Sequence, residues 1–346
     1  MSKTLQDYAT LINDTIQSNE INHYITTDNM CQNLGGIDTF KNINIPQGKV
    51  RSFQKDDILL SNIRLYFRKV YRAKQKGGCS SDVLVFRAKH IDSTTLFAIL
   101  SSQIFTDYAC SGSQGSKMPR GNKTHMMDFK IPTINFTIAK IFNSIQNKIE
   151  NNHKINELLH TLAYKIYEYY FKYKPKNAKL EQIIIENPKS SIMVKNAQKT
   201  QDKYPFFTSG DNILSYPKAI IDGRNCFLNT GGNAGIKFYV GKASYSTDTW
   251  CICANEFSDY LYLLLSSIKN HINQSFFQGT SLKHLQKNLL KKYPIYMPSV
   301  HEIKKFNQII IPLLTLISIN TRTSKKLEQI RDFLLPLLLK QQVKPQ

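Results

Sequence analysis

Two long stretches of the sequence place apolar residues at alternating steps of four and three, the spacing of one helix face. The first covers 134–169, and all of its seam positions except Lys148 and Asn152 are apolar; the positions are 134, 138, 141, 145, 148, 152, 155, 159, 162, 166 and 169. The second covers 306–334 and fits less regularly, with seam positions 306, 310, 313, 317, 320, 327, 330 and 334. A seam kept over about five heptads predicts a coiled-coil helix. Pro312 predicts a kink or a late start of the second helix, and Pro336 predicts its end.

Each seam is broken once by an asparagine, at Asn152 and at Asn320. A single polar seam residue can fix the register of paired helices at some expense of stability. If the two helices pair antiparallel, their midpoints meet, and we expect these side chains to hydrogen-bond each other. The alternative is that each asparagine faces solvent and falls on the seam by chance.

Landmarks outside the helices recur at a nearly constant distance. Asp82 and Asp248 are 166 residues apart, and so are Pro132 and Pro298. Several landmarks with one offset indicate an internal duplication with two repeats.

Short β-rich runs with glycine- and asparagine-containing turns precede each helical stretch. Asp57–Ser61 and Val83–Phe86 are expected strands, and Ala219–Asp222 is the expected counterpart of the first. Gly77-Gly78 and Asp222-Gly223 are among the expected turns. The sequence therefore predicts an irregular α+β domain in each half, and 346 residues suit two domains.

One kind of segment also occurs twice. We call GSKMPRGNKTHMMDFKIP (115–132) the first basic segment and GTSLKHLQKNLLKKYPIYMP (279–298) the second basic segment. Each begins with Gly and a hydroxyl residue, contains several cations and leads into a helical stretch. Thr124 and Ser281 are expected to cap short helices there.

The charge balance makes these segments candidates for nucleic-acid contact. The chain has 46 Lys and Arg against 25 acidic residues, a net charge of +21, which favours a polyanionic partner. Cations position a protein on phosphates, whereas Arg, Asn, Gln and His can read base edges. A merely solvated basic face is the alternative for any single residue. The candidate DNA-binding residues are Ser116, Lys117, Arg120, Asn122, Lys123, His125, Thr230, Lys237, Thr280, Ser281, Lys283, His284 and Lys287.

Catalytic signatures are weak throughout the sequence. The stretch from Gly115 to Thr124 resembles a phosphate loop but has one residue too many, and Asn122 separates Gly121 from Lys123. There is no clear metal-ligand spacing, and six scattered cysteines suit reduced thiols. No signal peptide or span-length apolar run is visible, so we expect a cytoplasmic chain without a membrane partner, metal or catalytic residues.

The layout as a whole resembles the specificity subunit of type I restriction–modification systems. The resemblance covers essentially the full chain and rests on the order of individually loose motifs. They are Asp57–Ser61 with Ile63-Arg64, Ser81-Asp82, Gly115–Pro119, Phe129–Pro132, Tyr204–Gly210, Thr230-Gly231, Ser246–Asp248, Gly279-Thr280 and the closing Leu327–Leu338.

This resemblance implies two target-recognition domains, 1–131 and 176–297, separated by two antiparallel spacer helices, 132–175 and 298–346. It further implies a non-catalytic scaffold that reads a split site on double-stranded DNA. Two methyltransferase subunits and nuclease/translocase subunits are the implied partners. They would carry S-adenosylmethionine, ATP and Mg, and this chain would carry no cofactor. The leading competing interpretation is a coiled-coil adaptor that binds nucleic acid without sequence preference, and an enzyme such as a degenerate methyltransferase or nuclease comes third.

Overall fold

A computed structural model describes residues 3–38, 43–131, 134–197, 203–210 and 213–338. The described residues form two compact units. The first unit takes its residues from Met1–Asn151 and Ser324–Gln346, and the second from Asn152–Thr323. The predicted domain ends at 131, 175 and 297 stay a prediction, and Pro132 lies outside the described residues.

The first unit begins with eight strands and four short helices. The strands are β1 (Ala9–Ile12), β2 (Thr15–Gln17), β3 (Tyr24–Ile25), β4 (Lys49–Phe53), β5 (Ile58–Ser61), β6 (Val70–Arg72), β7 (Gly77–Cys79) and β8 (Val83–Ala88). The helices are α1 (Leu5–Tyr8), α2 (Ser93–Leu100), α3 (Gln103–Ser111) and α4 (Lys123–Met127). The long helix α5 (Phe136–Tyr167) follows and contributes to both units.

The second unit repeats this plan after α5, which continues into a π-helical turn at Glu168–Lys172. Its strands are β9 (Ala178–Lys179), β10 (Ile185–Glu186), β11 (Tyr204–Phe207), β12 (Leu214–Tyr216), β13 (Arg224–Asn229), β14 (Ile236–Val240), β15 (Ser244–Tyr245), β16 (Thr249–Cys253), β17 (Phe277–Gln278), β18 (His284–Leu285) and β19 (Pro294–Ile295). Its helices are α6 (Ser258–Ser267), α7 (Lys269–Ser275), α8 (Lys287–Lys291) and the first part of α9 (Val300–Leu338).

The main sheets of the two units have the same topology. The first has the strand order β1-β8-β5-β6, and the second has β10-β16-β13-β14. In each, the two central strands pair antiparallel, and a short helix pair follows the second of them. The predicted α+β class and the internal duplication are therefore confirmed.

The predicted strands are confirmed in the first unit, and one is wrong in the second. Asp57–Ser61 and Val83–Phe86 fall on β5 and β8. Ala219–Asp222 makes only an isolated bridge at Ile221, and the counterpart of β5 is β13. The Asp222-Gly223 turn, with Gly223 at φ +108°, separates the two segments.

Gly77 and Gly78 are buried in β7 rather than in a turn. A Cβ on Gly77 would lie 2.6 Å from the His23 carbonyl oxygen, and one on Gly78 would lie 2.5 Å from Ile21 Cδ1. Glycine is needed here because neighbouring chain segments leave no room for a side chain.

The buried face of α5 coincides only in part with the predicted seam, since Ile134, Ile138, Leu159 and Ile166 pack against the cores and Asn152 is buried. Three predicted seam residues, Ile141, Ile155 and Leu162, are exposed. The buried positions are Ala139, Phe142, Gln146, Ile149, Asn152, Ala163 and Tyr167. Small and polar residues can face a closely packed surface, and hydrophobic periodicity does not register them.

Helix α9 runs without interruption from Val300 to Leu338, so the late start at Pro312 is wrong, and the last described residue of the helix lies two residues past Pro336. Pro312 removes the hydrogen bond to the Gln308 carbonyl. Both residues lie on the exposed face, where water can solvate that carbonyl.

Within each unit, α5 and α9 pack antiparallel. In the second unit, Phe306 contacts Tyr170 and Phe171, and Asn320 Nδ2 donates to Asn156 Oδ1 at 3.0 Å. Asn320 thus pairs one turn away from the predicted partner, and Asn152 is itself buried.

In the first unit, Arg331 Nη1 donates to Gln146 Oε1 at 3.0 Å, and Leu335 shares a core with Phe142. The two helices are therefore antiparallel in the first unit as well.

All six cysteines are free thiols.

A capping box holds the N-terminus of α9. The Ser299 backbone N–H donates to Glu302 Oε2 at 2.9 Å, the Glu302 N–H donates to Ser299 Oγ at 3.3 Å, and the Tyr296 hydroxyl donates to the same carboxylate. The backbone hydrogen bond from Ser299, followed by the one from Tyr296, lowers the pKa of Glu302.

We predict that Glu302→Gln lowers the free energy of unfolding by about 0.5–1 kcal/mol at pH 7, because it removes an anion from a helix N-terminus. A lowered pKa means that this contribution is present above the unfolded pKa, near 4.3, and is lost as the pH falls through the folded value. Urea unfolding at pH 7 and pH 3 should show the difference only at pH 7. Glu328→Gln, in the middle of the same helix, is the control, and an equal loss at both pH values would contradict the prediction.

Candidate nucleic-acid interface

The first basic segment is attached to the end of β5 by backbone hydrogen bonds. Gly121 N donates to the Asn62 carbonyl at 3.2 Å, and Arg64 N donates to the Pro119 carbonyl at 2.9 Å. Asn62 N donates in turn to the Asp82 carbonyl at 2.7 Å. These three bonds fix the segment against the residues that follow β5 and precede β8.

The second basic segment is attached in the same way to the end of β13. Leu285 N donates to the Thr230 carbonyl at 3.0 Å, and Gly232 N donates to the Lys283 carbonyl at 2.9 Å. Thr230 N donates to the Asp248 carbonyl at 3.2 Å. Each bond has its counterpart in the first unit, and we call this shared set of three bonds the segment frame.

The segment frame gives a residue-by-residue equivalence between the units. Arg120 forms an isolated β-bridge with Ile63, and His284 forms one with Gly231. Arg120 and His284 therefore hold the same place in the two frames.

Most candidates in the first basic segment are exposed at its surface. Gly115, at φ +98°, turns the chain, and Gln114 and Arg120 close the turn by exchanging backbone hydrogen bonds of 2.9 and 2.8 Å. Arg120 Nη2 forms an ion pair with Asp82 Oδ1 at 2.9 Å. The exposed candidates are Ser116, Lys117, Arg120, Asn122 and Lys123.

His125 is held more tightly than the other candidates. Its ring stacks on Tyr108 with centroids 4.1 Å apart, and Nε2 lies 2.8 Å from the Tyr108 carbonyl oxygen. The cap of α4 is Asn122, whose Oδ1 accepts from His125 N, so the predicted cap at Thr124 is wrong. Asn122 precedes the first helical residue, whereas Thr124 already lies inside the helix.

In the second basic segment, the exposed candidates occupy the loop between β17 and β18 and the start of β18. These candidates are Thr280, Ser281, Lys283 and His284. Ser281 does not cap a helix, because α8 begins only at Lys287.

Thr230 and Lys237 make hydrogen bonds within the second unit. Thr230 Oγ1 donates to the Asp248 carbonyl at 2.8 Å. Lys237 Nζ donates to the Thr208 and Gly210 carbonyls at 2.8 and 2.6 Å and lies 3.3 Å from Asn229 Oδ1. The ammonium of Lys237 thus joins β14 to the loop after β11.

Lys287 and Thr230 line one cleft of about 260 Å³. Lys287 Nζ lies 5.2 Å above the ring of Trp250, the single tryptophan. Burial lowers the pKa of Lys287. Glu186 accepts from Trp250 Nε1 at 2.8 Å and pairs with Lys291. The cation–π contact orients Lys287 toward the cleft wall.

The structure therefore groups the candidates around two segment frames, while a DNA contact by any of them stays a prediction. Asp82, which pairs with Arg120, is not among the candidate DNA-binding residues predicted from the sequence. The signal for it was present in the sequence, since Asp82 and Asp248 recur at the offset of the duplication.

Among the described residues, no group of three His, Cys, Asp or Glu side chains is arranged to hold a metal ion. In the same part of the chain, no helix is long and apolar enough to cross a membrane.

Comparison with known proteins finds one matching family model and several solved structures of similar fold. Residues 176–329 match the family model of the type I restriction modification DNA specificity domain. The chain is similar in structure to the S subunit of a type I restriction–modification system from M. genitalium, at 14% identity and a TM-score of 0.64, covering 99% of this chain and 96% of that one. An HsdS subunit from Thermoanaerobacter tengcongensis matches at 13% identity and a TM-score of 0.37, covering 98% and 96%. Comparison with curated proteins finds no significant match.

Residues 176–329 are similar to the type I restriction modification DNA specificity domain, and the chain as a whole shares the fold of a type I restriction–modification S subunit.

Proposed function

We propose that this chain reads a DNA target made of two halves, one half for each unit. The observation that carries this proposal is the segment frame, which occurs once in each unit and presents different exposed side chains. A shared backbone support with unlike side chains suits two modules that read different sequences, because base readout depends on the side chains presented to the groove.

The charge of the chain supports DNA as the ligand. The net charge is +21, and the exposed parts of both basic segments hold lysines, including Lys117, Lys123 and Lys283. Lysines there would neutralise phosphates, and binding would then weaken steeply as salt rises. The cations would supply affinity, and the frame would supply position.

We further infer that partner subunits perform the chemistry. Two methyltransferase subunits and nuclease/translocase subunits would bring S-adenosylmethionine, ATP and Mg, and this chain would take no catalytic part. Helices α5 and α9 keep apolar side chains exposed. Exposed apolar patches of this kind often mark surfaces where partner proteins bind. These side chains are Ile141 and Phe333 in the first unit, and Leu158 and Leu162 in the second. Such a complex would work in the cytoplasm.

A domain exchange tests the proposal. Residues 1–131 are replaced by those of a relative with another target, and the methylated sites are mapped by sequencing in cells that also contain the partner methyltransferase. We expect one half of the split site to change while the other half stays as in the wild type.

The reciprocal exchange of residues 176–297 is the matched control and should change the other half only. If either exchange changed both halves of the target site, or neither half, the result would contradict the proposal that each unit reads one half. Uniform footprinting protection of random DNA would favour the non-specific adaptor instead.

A further inference from the structure

Arg120 has an unusually constrained backbone for an exposed residue. Its N–H and C=O both bond to Gln114, and its neighbours Pro119 and Gly121 bond to Arg64 and Asn62. A Cβ on Gly121 would lie 2.1 Å from Met126 Cε, so the residue next to Arg120 packs closely against α4. The position of the Arg120 Cα is thereby fixed by the frame.

The side chain of Arg120 is also constrained, by its contact with Asp82. The Arg120 side chain is 62% exposed, and its Nη2 forms an ion pair with Asp82 Oδ1 at 2.9 Å. The Asp82 backbone is itself held by the bond from Asn62 N. Within the described residues this is the one ion pair that Arg120 makes, so most of its five N–H groups still face solvent.

We propose that Arg120 reads a guanine in the half-site bound by the first unit, with Asp82 as its positioning residue, and that His284 holds the equivalent reading position in the second unit. This inference rests on the proposed function. It adds the base that one side chain recognises and the residue that orients it.

The chemistry favours a base edge over a phosphate for Arg120. A planar guanidinium donates two parallel hydrogen bonds to guanine O6 and N7, the commonest specific contact in the major groove. Holding the fork by a carboxylate removes rotamer freedom before binding, which lowers the entropy lost on binding. The neighbouring Lys117 and Lys123 are point charges on flexible stems, which suit phosphates better.

The second unit provides a comparison at the same place in the frame. His284 is exposed, and its Nδ1 lies near Gly231, where a Cβ would be 3.9 Å away. Asp248 occupies the place of Asp82, since its carbonyl accepts the matching bond from Thr230 N. His284→Arg therefore places a guanidinium in a frame that offers a carboxylate at the equivalent position.

The test is selection of DNA from a random library by the full chain with its partner methyltransferase, followed by sequencing. We expect the wild type to require a G·C pair at one position of one half-site. Arg120→Lys should reduce the preference for that pair about ten- to a hundredfold and leave the other half unchanged. Asp82→Asn should reduce it less, and His284→Arg should increase the preference for guanine in the other half.

The possible failures are distinguishable. If the wild type selects no sequence, the proposed function fails and this inference fails with it. If the wild type selects a split site and Arg120→Lys keeps its full preference, only this inference is overturned. An equal loss of affinity for all sequences, with a shallower salt dependence, would make Arg120 a phosphate contact and would overturn it too.

Discussion

Replacing Arg224 with methionine should lower the free energy of unfolding of the second unit by about 3–5 kcal/mol, because it leaves a buried carboxylate without its partner. Asp259 is 1% exposed, and Arg224 contacts both of its oxygens, with Nε at 2.5 Å from Oδ2. Arg224 Nη1 also donates to Thr315 Oγ1 at 3.0 Å, so one guanidinium joins β13, α6 and α9. Loss of this side chain removes all of these contacts at once.

The measurement is urea unfolding followed by the fluorescence of Trp250, which is buried in the same unit. Burial raises the pKa of Asp259, and the Arg224 guanidinium opposes that rise. Without the guanidinium the folded pKa rises further, so the folded variant takes up a proton as the pH falls. The difference in unfolding free energy between the variant and the wild type should therefore shrink as the pH falls from 7 to 4.

Two variants complete this experiment. The double variant Arg224→Met/Asp259→Leu should recover most of the loss, since replacing both partners of a buried ion pair by apolar residues is often neutral. Lys242→Met removes an exposed cation of the same unit and should change little. Equal losses in the single and double variants would show that the pair contributes packing rather than charge compensation.

The second large effect is expected at Arg331 in the first unit. Arg331 is 1% exposed and donates to Gln146 Oε1 at 3.0 Å and to the Asn33 carbonyl at 3.4 Å. Gln146 Nε2 donates to the Leu34 carbonyl at 2.7 Å. This network ties α9 and α5 to the loop after β3.

Arg331→Ala should lower the free energy of unfolding by about 3 kcal/mol, because buried acceptors lose a donor and a large side chain leaves a cavity. Hydrogen exchange should show this loss of stability locally, as faster exchange of amides in 324–338 and 136–151. Lys326→Ala, at an exposed site of the same helix, is the control. Unchanged exchange in both segments would show that the network does not hold the first unit together.

Arg331 also shows where sequence reasoning failed and why. The predicted seam continued through Ile330, which is 49% exposed, while the neighbouring Arg331 faces the core with Leu335. A hydrophobic pattern assigns the inward face to the apolar residue. An arginine can occupy the inward face when hydrogen-bond acceptors from distant parts of the chain surround it. The local sequence does not show that such acceptors will be nearby.

The residue types alone determined much about this protein. The apolar runs of β5 and β8, the long apolar stripes of α5 and α9, the net charge of +21 and the constant offset of the duplication are all local or compositional properties. They were enough to predict an α+β fold built twice and a polyanionic partner. The two basic segments could also be recognised as equivalent, because they repeat at the offset of the duplication.

Only the tertiary structure decided the phase of α5 and of the last part of α9, the partner of Asn320 and the pairing of Arg120 with Asp82. Periodicity gives the spacing of a buried face, but its phase depends on which surfaces close on the helix. Asn320 donates to Asn156, a polar residue that lies outside the apolar stripe of α5. Arg120 meets Asp82 because backbone hydrogen bonds bring together segments 38 residues apart in the chain.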